Sequence, residues 1–212
     1  MWDYTYRLFQ CLVISIRPLR VEELAEFFAI LPDGEMTSGF NTGWRPEDPE
    51  EFILSACTTL VSIVSVRGEK VVQFSHFSVR EYLTSDRIAT LPSVSQFHIL
   101  PKPGHAHLAR ACLGVLLRLD YNMDRSKIPG FPLALYAAEH WVDHAQFEDV
   151  SSDIRDGMDR LFDRHKPHLS VWIWLYDIEK NKRRYSCCPT QPDAVPLLRW
   201  AMWFLRSCRE PP

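Results

Sequence analysis

Glycine is scarce in this chain: 8 of its 212 residues are glycine, against 15 prolines. That balance favours stiff breaks between helices over a glycine-rich loop that would cradle a phosphate. Gly34 and Gly39 have P-loop spacing, but Phe40 stands where the motif requires lysine. The G-x-S-x-G elbow of serine hydrolases is also absent. We therefore predict a protein that is not an enzyme, with no catalytic residue and no cofactor of its own.

The sequence also lacks a strong net charge and a long apolar run. Lys and Arg number 24 and Asp and Glu number 27, so the net charge is −3, which gives no global basic field. No stretch approaches the roughly 18 apolar residues of a membrane span, and no basic segment opens a signal peptide. The six cysteines contain no C-x-x-C pair, which favours reduced thiols. We expect a soluble, cytoplasmic protein with no membrane partner.

Two histidines one helical turn apart have a spacing that can hold a divalent metal ion. His140 and His144 have i, i+4 spacing, and Asp143 lies beside them. Zinc would need a further ligand that the sequence does not indicate. We therefore predict no metal site, and we interpret the basic run at residues 180–184 as a solvated loop.

Apolar periodicity predicts a mainly α fold with one small β-hairpin. Residues 48–51 combine a capping aspartate, a proline at the first helical position and a glutamate three residues after the cap, which predicts a helix start. The β-branched run 61–66 and the run 71–74 flank a turn and predict the hairpin. Ser78 is predicted to cap the helix that follows.

The last apolar segment, Val195 to Leu205, ends without a following partner element. It contains Trp200, Trp203 and Phe204, which are too many large apolar groups for a lone surface helix. We expect these three residues to be interaction residues, through which the segment packs back on the chain or drives self-association.

Three segments in the first half of the chain resemble a known protein family. They are Arg17–Ala25, Ile53–Val64 and the string from Phe74 to Leu83, Phe-Ser-His-Phe-Ser-Val-Arg-Glu-Tyr-Leu. These resemble the winged-helix segment of fungal NACHT-type, NLR-like signalling ATPases of the STAND class. This segment is often labelled the GPI inositol-deacylase winged helix, and that label implies no deacylase activity here.

The resemblance continues into the second half and implies a domain organisation. Segments 105–113, 132–141 and 174–176 resemble the helical connector of those proteins, and 195–201 resembles the opening helix of an ankyrin repeat. The resemblance implies the following order: a winged-helix domain at 1–89, a linker at 90–103, an α-helical connector at 104–194, and a truncated, degenerate ankyrin-like start at 195–212.

The same resemblance implies a non-catalytic regulatory fragment. Such a fragment would couple a NACHT nucleotide switch to an ankyrin-repeat platform, and those two protein partners would lie outside this chain. In related switch ATPases a histidine at the place of His76 touches the ADP phosphate. The resemblance therefore implies a phosphate contact for His76 when a NACHT domain is present. The alternative for His76 is a hydrogen bond within its own hairpin region.

Two other functions compete with that expectation. One is a stand-alone protein–protein interaction scaffold, and the other is a DNA-binding winged-helix regulator. Residues 1–90 carry eight Lys and Arg against thirteen Asp and Glu, and phosphate contacts supply most nonspecific DNA affinity. We therefore rank DNA binding last and expect no nucleic-acid partner.

Overall fold

The computed structural model describes residues 2–29 and 45–181. The chain divides into two compact units, Met1–Ala111 and Cys112–Pro212. The described helices are α1 (Trp2–Ile14), α2 (Val21–Phe28), α3 (Pro49–Ala56), α4 (Phe77–Leu83), α5 (Asp86–Ala89), α6 (Pro101–Leu116), α7 (Ala134–Ala145), α8 (Val150–Asp153), α9 (Arg155–Leu161) and α10 (His168–Asn181). The described strands are β1 (Leu19–Arg20), β2 (Val61–Val66) and β3 (Glu69–Phe74).

The strands of the first unit form one antiparallel sheet with the order β1-β3-β2. In the hairpin Val61 pairs with Phe74, and at the far edge Leu19 pairs with Val72. The hairpin turn places Arg67 and Gly68 at φ 53° and 87°, which is the positive-φ geometry that tight hairpin turns need. The predicted hairpin is confirmed, and the two-residue strand β1 completes it as a third strand.

The first unit begins with α1, β1, α2, α3, β2 and β3, in that order, and continues with α4, α5 and most of α6. The first six of these elements have the winged-helix topology. In that topology a helix and an edge strand precede two further helices, and a hairpin then pairs with the edge strand. The prediction of a mainly α protein with a small β-hairpin is therefore confirmed.

The core of the first unit joins its helices to one face of the sheet. Leu8, Leu24, Ile53 and Val72 are buried there. Rings from three helices meet beside them: Phe28 lies 6.0 Å from Tyr4 and 5.1 Å from Phe52, measured between ring centroids. Aromatic pairs at such separations add to the stabilisation that burial provides.

Two helix starts were predicted from capping residues, with different outcomes. The Asp48 carboxylate accepts hydrogen bonds from the backbone N–H groups of Glu50 and Glu51, each at 3.0 Å, so that prediction is confirmed. The cap assigned to Ser78 is wrong, because α4 already begins at Phe77. His76 occupies the capping position instead, and its Nδ1 accepts the N–H of Ser78 at 3.2 Å.

The proline-rich region at residues 90–103, predicted as a linker, contains ordered helical structure. A short 3-10 helix covers Ser95–Phe97, and α6 begins at Pro101. Proline is compatible with the first turn of a helix, because the N–H it lacks would have no intrahelical partner there. The two compact units divide inside α6, between Ala111 and Cys112.

The described part of the second unit contains the end of α6, a short 3-10 helix at Ile128–Gly130, and α7 to α10. Leu133, directly before α7, and Tyr136 and Trp141 within α7 are buried. The indole N–H of Trp172 donates to the Ala138 carbonyl at 2.9 Å, and its ring packs edge-on against Trp141. A hydrogen bond and an aromatic contact therefore hold α10 to α7.

The segment predicted as an ankyrin-like start, with Trp200, Trp203 and Phe204, lies outside the described residues. Most of the basic run also lies outside them. Among the helices at 2–29 and 45–181, none combines the length and apolar character needed to cross a membrane.

Candidate functional site

The first unit contains an apolar groove of about 710 Å³, formed where several short elements meet α1. Phe9 of α1 and Phe97 form one wall, with ring centroids 6.2 Å apart. Leu83 and Ile88 also line it, and both are buried. We call this site the apolar groove.

The outer edge of the apolar groove carries its polar atoms. Ser78 and Tyr82, from α4, are exposed, whereas Thr5 and Cys57 are half-buried. The Thr5 hydroxyl donates to the Ala56 carbonyl at 3.4 Å, and the Ser78 hydroxyl lies 2.7 Å from His76 Nδ1. The groove therefore combines an apolar floor with a few hydroxyl groups at its rim.

Among the described residues that line the apolar groove, none is Asp, Glu, Lys, Arg or His. A charged ligand would lose hydration there without gaining an ionic partner, which is unfavourable. An uncharged, largely apolar ligand avoids that penalty and gains the burial of its own apolar surface. The electrostatics of the groove therefore select for neutral ligands.

Cys57 differs from the other described cysteines, because it lines the apolar groove and is only half-buried. Its Sγ lies 3.9 Å from the Thr59 hydroxyl. Cys11 and Cys112 are buried, and burial raises the pKa of the Cys11 thiol to about 12. Alkylation of Cys57 therefore offers a direct measure of whether the groove is occupied.

His76 lies outside the apolar groove, at a second cavity of about 460 Å³ that it shares with Ile16, Phe77 and Arg80. Its ring stacks on Phe77 at 4.7 Å, and Phe77 is 71% exposed. The alternative of a local hydrogen bond is realised with Ser78. The ring also reaches the surface, which a phosphate contact would require, and that contact stays a prediction.

The structure gives His140 and His144 separate partners. His144 Nε2 lies 2.9 Å from the Tyr136 hydroxyl, and His140 Nδ1 lies 3.0 Å from Asp143. Within residues 2–29 and 45–181, no group of three or more His, Cys, Asp and Glu side chains is arranged to hold a metal ion. Both histidines have a polar partner within α7.

No protein-family model and no solved structure matches this chain. Among curated proteins, it is similar to the azaphilone pigments biosynthesis cluster protein L of Monascus ruber. The two are 28% identical over 187 residues, which cover 84% of this chain. The match covers 39% of the length of that relative, so this chain corresponds to only part of it.

This similarity corrects the expected function. The sequence indicated a signalling fragment of an NLR-like protein, but the relative is named for a biosynthetic gene cluster that makes pigments. The expectation of a fragment that couples a NACHT switch to ankyrin repeats is therefore wrong. The similarity does not bear on the resemblance of the individual segments to NACHT-type proteins, which stays a prediction.

The apolar groove was not predicted from the sequence. Its lining residues run from Thr5 to Phe97 and come from several elements. Most of them have the helical spacing of ordinary core residues, so periodicity assigns them to the core. The sequence carries no separate pattern that distinguishes these groove-lining residues from core residues.

Proposed function

We propose that this chain is a non-catalytic binding protein of a secondary-metabolite pathway of the pigment-producing kind. The apolar groove of its winged-helix unit is the binding site. The observation that carries the proposal is the groove itself, which has a buried floor, a neutral lining and a volume of about 710 Å³. Pockets for single small ligands span roughly 300–1,000 Å³ and are mostly apolar, with a few polar groups that orient the ligand.

The similarity to a pigment-cluster protein supports the pathway part of the proposal. It covers 84% of this chain. A binding protein can serve such a pathway by holding a poorly soluble compound away from water. Burial of apolar surface supplies the affinity for that task.

Disruption of the gene in its host tests the pathway role. We expect the disruptant to lose or change coloured or related metabolites, as measured by liquid chromatography and mass spectrometry. Complementation should succeed with the wild-type gene and with Ser55→Trp, whose site is exposed and outside the groove. It should fail with Ala56→Trp, which places an indole in the groove. An unchanged metabolite profile in the disruptant would contradict the proposal.

We also propose that the protein works in the cytoplasm. Among the described cysteines, Cys11 is a buried free thiol, and the cytoplasm keeps thiols reduced. Fluorescence microscopy of a tagged full-length chain tests this assignment. A signal confined to a membrane-bound compartment would contradict it.

A further inference from the structure

We infer that the apolar groove binds an uncharged, conjugated ring compound, with the polar end of that compound at the Ser78–Tyr82 rim. The inference rests on the proposed function and specifies the ligand class of the same site. It depends on the shape, the charge and the aromatic surfaces of the groove.

The walls of the groove favour a ligand with flat rings. Phe9 and Phe97 stand on one side, and Tyr82 contributes a further aromatic side chain. Aromatic side chains attract ring systems through offset stacking and edge contacts, in addition to burying apolar area. Pigments absorb visible light and therefore contain extended conjugated systems, which are flat and largely apolar. The pathway of the relative is named for compounds with this property.

The distribution of polar atoms orients the ligand. The buried lining residues Leu83 and Ile88 offer only apolar side-chain atoms, whereas the exposed residues Ser78 and Tyr82 offer hydroxyl groups at the rim. A carbonyl or hydroxyl oxygen of the ligand would remain unpaired against the floor, at a cost in free energy. The same oxygen can accept or donate a hydrogen bond at the rim, so the ligand enters with its apolar end first.

Charge is the property that separates this ligand class from other apolar compounds. An acid or amine of the same shape meets no counter-charge from the described residues of the groove, because their side chains include no carboxylate, ammonium, guanidinium or imidazole. Its desolvation therefore opposes binding. Two probes with the same ring skeleton isolate this effect: uncharged N-phenylnaphthylamine and the anionic anilinonaphthalene sulfonate.

Fluorescence titration of the full chain with both probes tests the inference. We expect saturable binding of N-phenylnaphthylamine and at least roughly tenfold weaker binding of the sulfonate. Ala56→Trp should weaken N-phenylnaphthylamine binding by roughly tenfold or more, because its indole occupies the same space, whereas Ser55→Trp should leave binding unchanged. This matched pair separates the groove from any other apolar surface of the chain.

A second pair of variants covers the case in which Ala56→Trp fails to fold. Val79→Arg places a charge in the groove, and Glu81→Arg places the same charge on an exposed position of α4 outside it. Only Val79→Arg should weaken binding of the uncharged probe. In wild-type protein, the probe should also slow the alkylation of Cys57 by iodoacetamide, followed by peptide mass spectrometry.

Three results would overturn the inference: no binding of N-phenylnaphthylamine, equal binding of the two probes, or equal effects within a matched pair. If the groove binds no probe but the disruptant has altered metabolites, the proposed ligand class is wrong and the pathway role stands. If the groove binds the uncharged probe but the disruptant has unchanged metabolites, the pathway role is wrong and the proposed ligand class stands.

Discussion

Arg17 and Glu23 meet through two parallel hydrogen bonds, from the guanidinium nitrogens to the two carboxylate oxygens, at 2.8 and 2.7 Å. The Glu23 side chain is fully buried. Arg20 adds a bond from its backbone N–H at 2.8 Å and another from its guanidinium at 2.9 Å. Burial alone would raise the pKa of the Glu23 carboxyl, but these two arginines outweigh it and hold that pKa below its ordinary value. The carboxylate thus fixes the start of α2 beside β1.

Glu23→Gln tests the importance of this carboxylate. The amide keeps the shape but turns an acceptor into a donor that faces two guanidinium groups. We expect a loss of about 2–3 kcal/mol in the free energy of unfolding, since the two half-buried guanidinium groups of Arg17 and Arg20 lose their counter-charge. Urea unfolding followed by circular dichroism measures it. Glu22→Gln, at an exposed position of the same helix, is the control and should change little. Equal stability of the two variants would contradict the prediction.

We predict that the stability of the second unit depends on pH through the titration of His168. Burial of the ring, with Arg160 and Lys166 nearby, outweighs its hydrogen bond to the Leu119 carbonyl at 3.1 Å, so the pKa of His168 lies below its ordinary value of 6.5. The unfolded chain then binds the proton more readily than the folded chain. Its contribution to stability is therefore present at neutral pH and is lost as the pH falls below about 6.5.

We expect His168→Asn to show a weaker loss of stability than wild type as the pH falls from neutral into this window. Thermal unfolding across a pH series measures the difference between the two proteins. Asparagine retains a donor toward the Leu119 carbonyl and does not titrate. Parallel pH curves for wild type and variant would contradict the assignment.

Two tryptophans of α10 provide a matched pair for the second unit. Both are buried, but only the Trp172 indole donates a hydrogen bond, to Ala138. The indole nitrogen of Trp174 has no partner among the described residues. Trp172→Phe should therefore cost about 1 kcal/mol more than Trp174→Phe, by the net value of one hydrogen bond. Chemical unfolding of both variants measures this difference, and the reverse order would contradict the prediction.

The winged-helix unit is predicted not to bind DNA. Its third helix, α3, is the one that winged-helix regulators commonly place in the major groove, and here it carries Glu50 and Glu51 without a basic residue. Acidic side chains repel the phosphates that supply nonspecific affinity. Fluorescence anisotropy with duplex DNA at physiological salt should show no binding. Micromolar affinity under these conditions would contradict the prediction.

The sequence predicted those parts of the fold that local patterns encode. Asp48 and Pro49 predicted the start of α3, and the β-branched run at 61–66 predicted the first strand of the hairpin. Strand β1 was missed because two residues, Leu19 and Arg20, are too short to show alternation. The start of α4 was misplaced because a serine is a more common cap than a histidine, and His76 holds the position instead.

The candidate site was less accessible to sequence reasoning. Ala56, Val79 and Phe97 are far apart in the chain, and each is a residue type that fills ordinary cores. Whether such residues close on one another or leave a groove depends on the lengths and angles of α4 and α5. Those quantities arise from tertiary packing, which a single sequence does not encode locally. The function was misassigned for a different reason. Sequence similarity to winged-helix segments indicates a fold, and one fold can serve many biological roles.

Native mass spectrometry of the full chain, isolated gently from cells that make the pathway's metabolites, tests the central claim most directly. We predict that wild-type protein and Ser55→Trp carry a noncovalently bound, uncharged compound that absorbs light, and that Ala56→Trp lacks it. The contrary result is wild-type protein free of any such compound, or the same compound retained by Ala56→Trp.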